Sequence, residues 1–191
     1  QGSSATVLSL GATDEIDLTA TAMDFNGTVA ISGDTTIEDG ADLITATAGT
    51  SNVRIGVNTG NSIQSGGSRN TFVGDEAGTA ITTSDDNVGL GYQALGSDTL
   101  GHKSVAVGRG SLATQNFTTA TDSHNTAVGY FSGNAITTGS RNTLLGALAG
   151  DALTTGVRNV GLGYGALSSD TLGSKSIAVG HGALFTQNFT T

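Results

Sequence analysis

Two segments of the sequence match G-x-G-x-x-A, the glycine fingerprint of dinucleotide-binding proteins: residues 89–94 and 161–166. In that fingerprint the glycines let a pyrophosphate approach backbone amides at the start of a helix, and the helix must follow a strand in a βαβ unit. Neither copy is followed by a segment of helical period, and the sequence contains no G-x-x-x-x-G-K-[S/T] phosphate loop. We therefore interpret both copies as structural turns and expect no nucleotide cofactor.

Side chains suited to acid–base or metal chemistry are few and scattered. The chain has three histidines: His102, His124 and His181. They show no metal-ligand spacing and no nucleophile motif lies beside them, so we expect them in exposed turns. Asp85-Asp86 could bind a cation, but its surroundings match neither an EF-hand nor the nonapeptide calcium repeat. Glu76 is the one glutamate between residues 52 and 191, which disfavours a glycosidase with paired carboxylates. The sequence predicts no enzyme, metal site or cofactor.

Charge and cysteine content exclude further classes. The chain has no cysteine, and therefore no disulfide or thiolate metal site. Its net charge of −9 lies almost entirely in residues 1–51, which hold eight acidic residues and no Lys or Arg. The remainder is nearly balanced and offers no basic patch for nucleic acid. No apolar run of about 18 residues is present, so neither membrane insertion nor a signal peptide is expected.

Internal repeats decide the architecture. From residue 52 the chain divides into eight units, most of them 17 residues long, and they begin at Asn52, Asn70, Asn87, Ser104, Asn125, Asn142, Asn159 and Ser176. A longer period is superimposed, because residues 70–119 match residues 142–191 at 34 of 50 positions, an offset of 72. Such periodicity indicates a solenoid of stacked coils.

The columns of the repeat have a physical interpretation. The first residue of a unit is Asn or Ser, the fourth is aliphatic and the eighth is small. The fifth is always glycine: Gly56, Gly74, Gly91, Gly108, Gly129, Gly146, Gly163 and Gly180. We expect a short strand whose second and fourth side chains share one face, a bend at the glycine, a second short strand and a closing turn. Successive coils would stack about 4.8 Å apart.

The composition makes such coils thin. Glycine accounts for 30 residues, aromatics for 5% and charged residues for 12%, so each coil receives only two or three large apolar side chains. At about 25 cal/mol per Å² of buried apolar area, such a core does not offset the ordering of 17 residues. A flat roll also leaves one apolar face uncovered. We therefore predict an all-β parallel solenoid over residues 52–191 that associates with copies of itself.

Two surface columns are candidate contact sites. The last residue of successive units is mostly basic: Arg69, Lys103, Arg141, Arg158 and Lys175. Stacked like charges repel, so these residues are either solvated or paired with Asp98, Asp151 or Asp170 of a neighbouring protomer. Four rings follow the glycine bend: Tyr92, Tyr130, Phe131 and Tyr164. They suit contact with a sugar or protein receptor, or else cover edges of the oligomer.

Residues 1–51 lack the repeat. Alternating segments and turn pairs such as Asn26-Gly27 and Asp39-Gly40 predict short strands joined by turns. We interpret this segment as an acidic β-structured neck or shaft preceding the repeat domain of eight coils.

The units N-T-A-V-G-Y-F-S-G-N-A-I-T-T-G-S-R at residues 125–141 and S-I-A-V-G at residues 176–180 resemble the head repeats of YadA-type trimeric adhesins. They are still more similar to related repeats in bacteriophage tail fibres. The resemblance covers residues 52–191, although these units are longer than those of adhesin heads. It implies a parallel, left-handed, homotrimeric β-roll that contacts a host surface receptor or polysaccharide, located on a virion as part of a tail fibre.

The sequence leaves three alternatives open. A bacterial trimeric surface adhesin would share the roll and lie on the cell surface. An ice-binding solenoid would use the Thr pairs of the coils to order water, but adjacent Thr residues on a strand point to opposite faces. A polysaccharide-degrading tailspike would need paired carboxylates on a groove.

Overall fold

The computed structural model describes residues 49–189. The predicted neck lies outside this range except for its last three residues. Between residues 49 and 189 the chain is all-β and contains no helix. It forms ten short strands: β1 Val53–Ile55, β2 Thr71–Val73, β3 Val88–Leu90, β4 Gly101–His102, β5 Val105–Val107, β6 Thr121–Asp122, β7 Thr126–Val128, β8 Thr143–Leu145, β9 Val160–Leu162 and β10 Ile177–Val179.

Eight of these strands form one parallel sheet in the order β1-β2-β3-β5-β7-β8-β9-β10. Each strand occupies the second to fourth residues of a repeat unit and pairs with the same residues of the next, as Ala127 does with Leu144. The chain is therefore a β-solenoid with coils of about 17 residues, which confirms the architecture predicted from the repeat. The longer coil that begins at Ser104 keeps the register, since Val105 pairs with Thr126. In its extra length β6 pairs with β4.

The second short strand predicted for every coil is wrong. After the glycine bend the chain runs through turns, and beyond the main sheet residues 49–189 contain only the strand pair β4–β6 and an isolated bridge between Thr50 and Ser68. The reason is the backbone: positions five, seven and nine of every coil have positive φ, for example Gly129 at 140°, Phe131 at 52° and Gly133 at 59°. Left-handed residues at alternate positions rule out an extended strand.

Glycine at position five meets two requirements at once. The φ of these eight residues lies between 124° and 140°, a region closed to side-chain-bearing residues. The glycines also stack directly on one another, so a Cβ at Gly129 would lie 2.5 Å from the carbonyl carbon and oxygen of Gly146. Both the bend and the close approach of coils exclude any larger residue.

The core is filled from position three of the strands and from the turns. Phe72 and Leu144 project inward from β2 and β8 and are fully buried, as are Ile136 and Leu153 from the turns. Where a strand carries a small inward residue, the turn supplies a larger one, as Leu112 does beside Ala106. The coils are filled, but by few large side chains.

A column of buried asparagines runs along the inside of the solenoid at position one. Asn142 Oδ1 accepts hydrogen bonds from the backbone N–H of Asn159 at 3.0 Å and from its Nδ2 at 3.1 Å. Asn142 Nδ2 donates to the carbonyl of Gly156 at 2.9 Å. These bonds satisfy backbone groups that the turn leaves buried without sheet partners. The same pattern recurs at Asn70 and Asn87.

Where serine takes position one, a buried glutamine replaces the missing amide. Gln115 Nε2 donates to Ser104 Oγ at 2.9 Å, and its Oε1 accepts from Asn125 Nδ2 at 2.8 Å. Ser176 and Gln187 repeat the substitution, with Gln187 Nε2 donating to Ser176 Oγ at 3.2 Å. The two kinds of coil therefore use alternative solutions to one hydrogen-bonding requirement.

Candidate self-association and receptor-contact surfaces

The second and fourth residues of each repeat unit share one face of the sheet, as the repeat predicts, and the structure shows that this face points outward. We call this surface the outer sheet face. It consists of Val53, Ile55, Thr71, Val73, Val88, Leu90, Val105, Val107, Thr126, Val128, Thr143, Leu145, Val160, Leu162, Ile177 and Val179. Thirteen of these side chains are aliphatic, three are Thr and none is charged. Eight strands at about 4.8 Å spacing make it about 34 Å long.

The outer sheet face is accessible to solvent in the single chain. Leu145 is 44% exposed in the middle of the solenoid, and Ile55 and Val179 near its ends are 50% and 66% exposed. An uncharged aliphatic strip of this length is uncommon on the surface of a monomeric protein and is typical of interaction sites.

The basic column lies at the last position of each coil, where the backbone is again left-handed, with φ of 56° at Arg69 and 62° at Arg158. Arg69 Nε pairs with Asp86 Oδ1 on the next coil at 2.6 Å. This guanidinium lowers the pKa of Asp86, chiefly through the side-chain hydrogen bond. Lys103 Nζ pairs with Asp122 at 2.6 Å and lowers the pKa of that carboxyl in the same way.

Three other members of the column have no such neighbour. Arg141, Arg158 and Lys175 stand on successive coils, are exposed, and form no ion pair within residues 49–189. The half of the basic column that is nearer the C-terminus is therefore a strip of unpaired positive charge.

Two of the carboxylates suggested as inter-chain partners are instead inside the solenoid. Asp98 and Asp170 are 0% exposed. Asp98 accepts hydrogen bonds from the backbone N–H of Gly101 at 3.0 Å and from Gln115 Nε2 at 2.5 Å, and burial raises its pKa. Asp170 likewise accepts from the N–H of Gly173 at 2.9 Å. Both carboxylates are buried and accept hydrogen bonds from turns of their own chain. The expectation that they pair with a neighbouring protomer is therefore wrong.

The tyrosines of the aromatic series lie in one column, at position six. Tyr92 and Tyr130 are 41% and 47% exposed, with Arg109 on the coil between them. The guanidinium carbon of Arg109 lies 5.6 Å from the ring centroid of Tyr92 and 5.9 Å from that of Tyr130. These are cation–π distances. Arg109 was not among the predicted site residues, although the repeat places it between two tyrosines of the same column.

The other two rings make different contacts. Phe131 follows Tyr130 at position seven, packs edge-on against it with centroids 4.4 Å apart, and lies over Gly110 of the preceding coil. Tyr164 is 53% exposed and stacks on His181, with centroids 5.3 Å apart and an interplanar angle of 13°. The structure thus places the three tyrosines in one exposed column, while Phe131 is half-buried beside it.

Two surface grooves lie beside this column. Neither was predicted from the sequence. The first groove has a volume of about 290 Å³ and the second about 340 Å³. The two grooves are related by the 72-residue period, so six lining residues of the first groove have an equivalent in the lining of the second. These pairs, with the residue of the first groove given first, are Glu76 and Leu148, Thr79 and Asp151, Gln93 and Gly165, Gly96 and Ser168, Ser97 and Ser169, and Ala113 and Phe185. Five of these six pairs differ, although the two long repeats are mostly identical. This concentration of differences was the available sequence signal.

The residues first considered for chemistry have structural partners. Gly91 and Gly163 of the fingerprint matches lie in bends with φ of 126° and 131°. His102 is half-buried, and its Nδ1 accepts the backbone N–H of Asp85 at 2.9 Å. The carboxylate of Asp85 in turn accepts from Ser68. Across residues 49–189 no cluster of His, Asp or Glu could hold a metal ion. No helix in that range is long and apolar enough to span a bilayer.

The chain matches no family model, no curated protein and no solved structure.

Proposed function

We propose that the chain is a segment of a homotrimeric fibre, most simply a phage tail fibre, in which a left-handed β-roll from each of three protomers packs through its outer sheet face. The fibre holds a receptor-contact surface away from the virion, and attachment to a host surface is shared among three copies. The observation that carries this proposal is the uncharged outer sheet face, which is continuous over eight strands and is at least partly exposed at every position in the single chain.

Energetics support burial of this face by copies of the same chain. Full burial of an exposed aliphatic side chain contributes about 1.5–3 kcal/mol, and a partly exposed one contributes less. The outer sheet face carries thirteen aliphatic side chains, of which five are exposed and eight are partly exposed in the single chain. The side chains of the outer sheet face repeat at the spacing of the strands. The same face of a second copy has the same spacing, so the two faces can pack against each other along their whole length. Interfaces of permanent oligomers are apolar in this way, whereas transient partners are more polar.

The exposed tyrosine column supports attachment. Tyrosine combines a rigid apolar ring with a hydroxyl, and loses little conformational entropy when it forms a contact. Three copies of a weak contact on one rigid rod raise avidity without strong individual binding. A bacterial trimeric adhesin would use the same assembly on a cell surface, and the reading frame flanking this segment distinguishes the two.

Charge on the outer sheet face tests the assembly. Leu145→Lys places an ammonium in the middle of the face, where the trimer would bury it, and we expect trimers to dissociate in light scattering. Thr138→Lys is the matched control, since Thr138 is exposed on the turn of the adjacent coil, and it should remain trimeric. Unchanged mass in Leu145→Lys would contradict the proposed interface.

A further inference from the structure

The second groove, lined by Leu148, Asp151, Tyr164, Gly165, Ser168, Ser169 and Phe185, contains polar atoms with no partner. Asp151 Oδ1 and Ser168 Oγ are shielded from solvent, and neither has a hydrogen-bond partner within residues 49–189. Burial raises the pKa of Asp151, against the opposing effect of its own backbone amide and that of Ala152. Shielded polar atoms without partners cost free energy, and such groups are characteristic of sites that a ligand completes.

The first groove provides an internal comparison, because none of its shielded side-chain polar atoms lacks a hydrogen-bond partner within residues 49–189. Thr79, equivalent to Asp151, donates from Oγ1 to Asn61 Oδ1 at 2.8 Å. Gln93 Nε2 donates to Glu76 at 2.7 Å. Gly96 stands in place of Ser168 and has no side chain. Free hydrogen-bonding capacity is therefore a property of the second groove and not of the coil geometry.

Rings flank the second groove. Tyr164 and Phe185 are each 53% exposed and both line it, whereas the equivalent of Phe185 in the first groove is Ala113. An apolar wall beside a few placed polar groups is the usual composition of a small-molecule site, and about 340 Å³ is near the lower end of the usual range of about 300–1,000 Å³.

We infer that the second groove binds a neutral hexose unit of a polysaccharide, with the C–H face of the sugar against Tyr164 or Phe185. Asp151 and Ser168 are partly exposed residues of the groove wall, and rotation of their side chains turns Oδ1 and Oγ toward the sugar, whose hydroxyls complete their hydrogen bonds. A pyranose offers an apolar C–H face and a rim of hydroxyl donors, which matches this arrangement. Ionised carboxylates accept and do not donate, so hydroxyl groups suit Asp151 and an acidic sugar would be repelled.

This inference deepens the proposed attachment function, since it gives the receptor a chemical class. Its biological meaning rests on that function, but binding of a sugar by the purified chain is measured without any host. The two proposals can therefore be contradicted separately. If the chain adsorbs to cells but binds no sugar, only the proposed hexose site is contradicted. If the chain binds sugar but stays monomeric, only the proposed trimeric fibre is contradicted.

The test is saturation-transfer NMR and titration of the full chain with glucose, galactose, mannose, N-acetylglucosamine and N-acetylgalactosamine. We expect saturable binding of at least one of them. Asp151→Thr and Phe185→Ala install the residues that this fold already carries in the first groove, so both should fold, and each should weaken binding at least tenfold. Thr79→Ala, in the first groove, should leave binding unchanged.

Two results would overturn the inference. One is the absence of saturable binding for all five sugars at millimolar concentration. The other is binding that persists unchanged in both Asp151→Thr and Phe185→Ala, since the sugar would then lie elsewhere on the chain.

Discussion

The side-chain oxygen of Asn125 accepts a hydrogen bond of 2.9 Å from the backbone N–H of Asn142, which lies 17 residues further on and one coil away. The bond links two buried positions, and its repetition along the solenoid fixes the register between coils. Asparagine suits this role because its amide accepts from one backbone group and donates to another simultaneously. The column therefore stabilises the stack where the small apolar core contributes little.

Asn142→Ala tests this column. The substitution leaves the N–H of Asn159 and the carbonyl of Gly156 buried without their partners, at about 1–3 kcal/mol for each group. We expect the free energy of unfolding in denaturant titrations to fall by about 2–5 kcal/mol. Thr138→Ala on the exposed turn should change it by no more than about 0.5 kcal/mol. A loss below about 1 kcal/mol in Asn142→Ala would show that the column is not a main source of stability.

The buried carboxyl of Asp98 predicts a pH dependence. Its pKa in the folded chain is raised by burial above the ordinary value of about 3.9, so the folded state retains the proton more readily than the unfolded state does. The free energy of unfolding should therefore decrease as the pH rises from about 4 through the folded pKa. Denaturant titrations of the native chain and of Asp98→Asn over this pH range isolate the contribution of the Asp98 carboxyl to the free energy of unfolding.

Asp86→Asn is the matched control of opposite sign. Arg69 lowers the pKa of Asp86, so the contribution of that carboxylate is present above its ordinary pKa and is lost as the pH falls through its folded pKa. The Asp98 prediction fails if the native chain and Asp98→Asn differ by a constant amount at every pH between 4 and 8.

The unpaired half of the basic column predicts a response to charge reversal. If Arg141 and Arg158 pair with acidic groups of a neighbouring protomer, the double substitution Arg141→Glu and Arg158→Glu should lower the melting temperature of the trimer, and added salt should reduce the difference. Thr138→Glu together with Thr155→Glu places the same charges on exposed turns of the same coils. Equal melting temperatures of the native trimer and of the Arg141→Glu, Arg158→Glu variant would contradict the proposed pairing between protomers.

The aromatic column predicts separate effects on attachment and assembly. Replacing Tyr92, Tyr130, Phe131 and Tyr164 by Ser should abolish adsorption of the labelled chain to cells of a susceptible strain. The oligomeric mass should be unchanged, although some stability should be lost because Phe131 is half-buried over Gly110. Dissociation of the oligomer would show instead that these rings cover an interface.

The repeat made the solenoid predictable because its invariant residues meet local requirements. The stacked glycines at position five and the shared face of positions two and four follow from spacing and sterics alone, whereas spacing does not decide whether that face points outward. The turns after the bend were not predictable in the same way. Leu112 and Phe131 adopt left-handed conformations with φ of 50° and 52°, which no propensity of Leu or Phe indicates and which only packing against adjacent coils imposes.

The candidate surfaces were predictable only as columns. Stacking places Tyr92 above Arg109 and Arg109 above Tyr130 because all three occupy position six. The positions of Asp98 and Asp170 were misjudged because an acidic residue in a turn is usually solvated, whereas here the turn amides and a core glutamine enclose it. The first groove is lined by residues from four coils and the second by residues from three, and only the pattern of differences between the two long repeats pointed to them.

The mass of the purified chain in solution tests the central claim most directly. Multi-angle light scattering at micromolar concentration should give three times the mass of the 191-residue chain, because the outer sheet face has to be buried against copies of itself. A stable and soluble single chain of 18.8 kDa at that concentration would contradict the account.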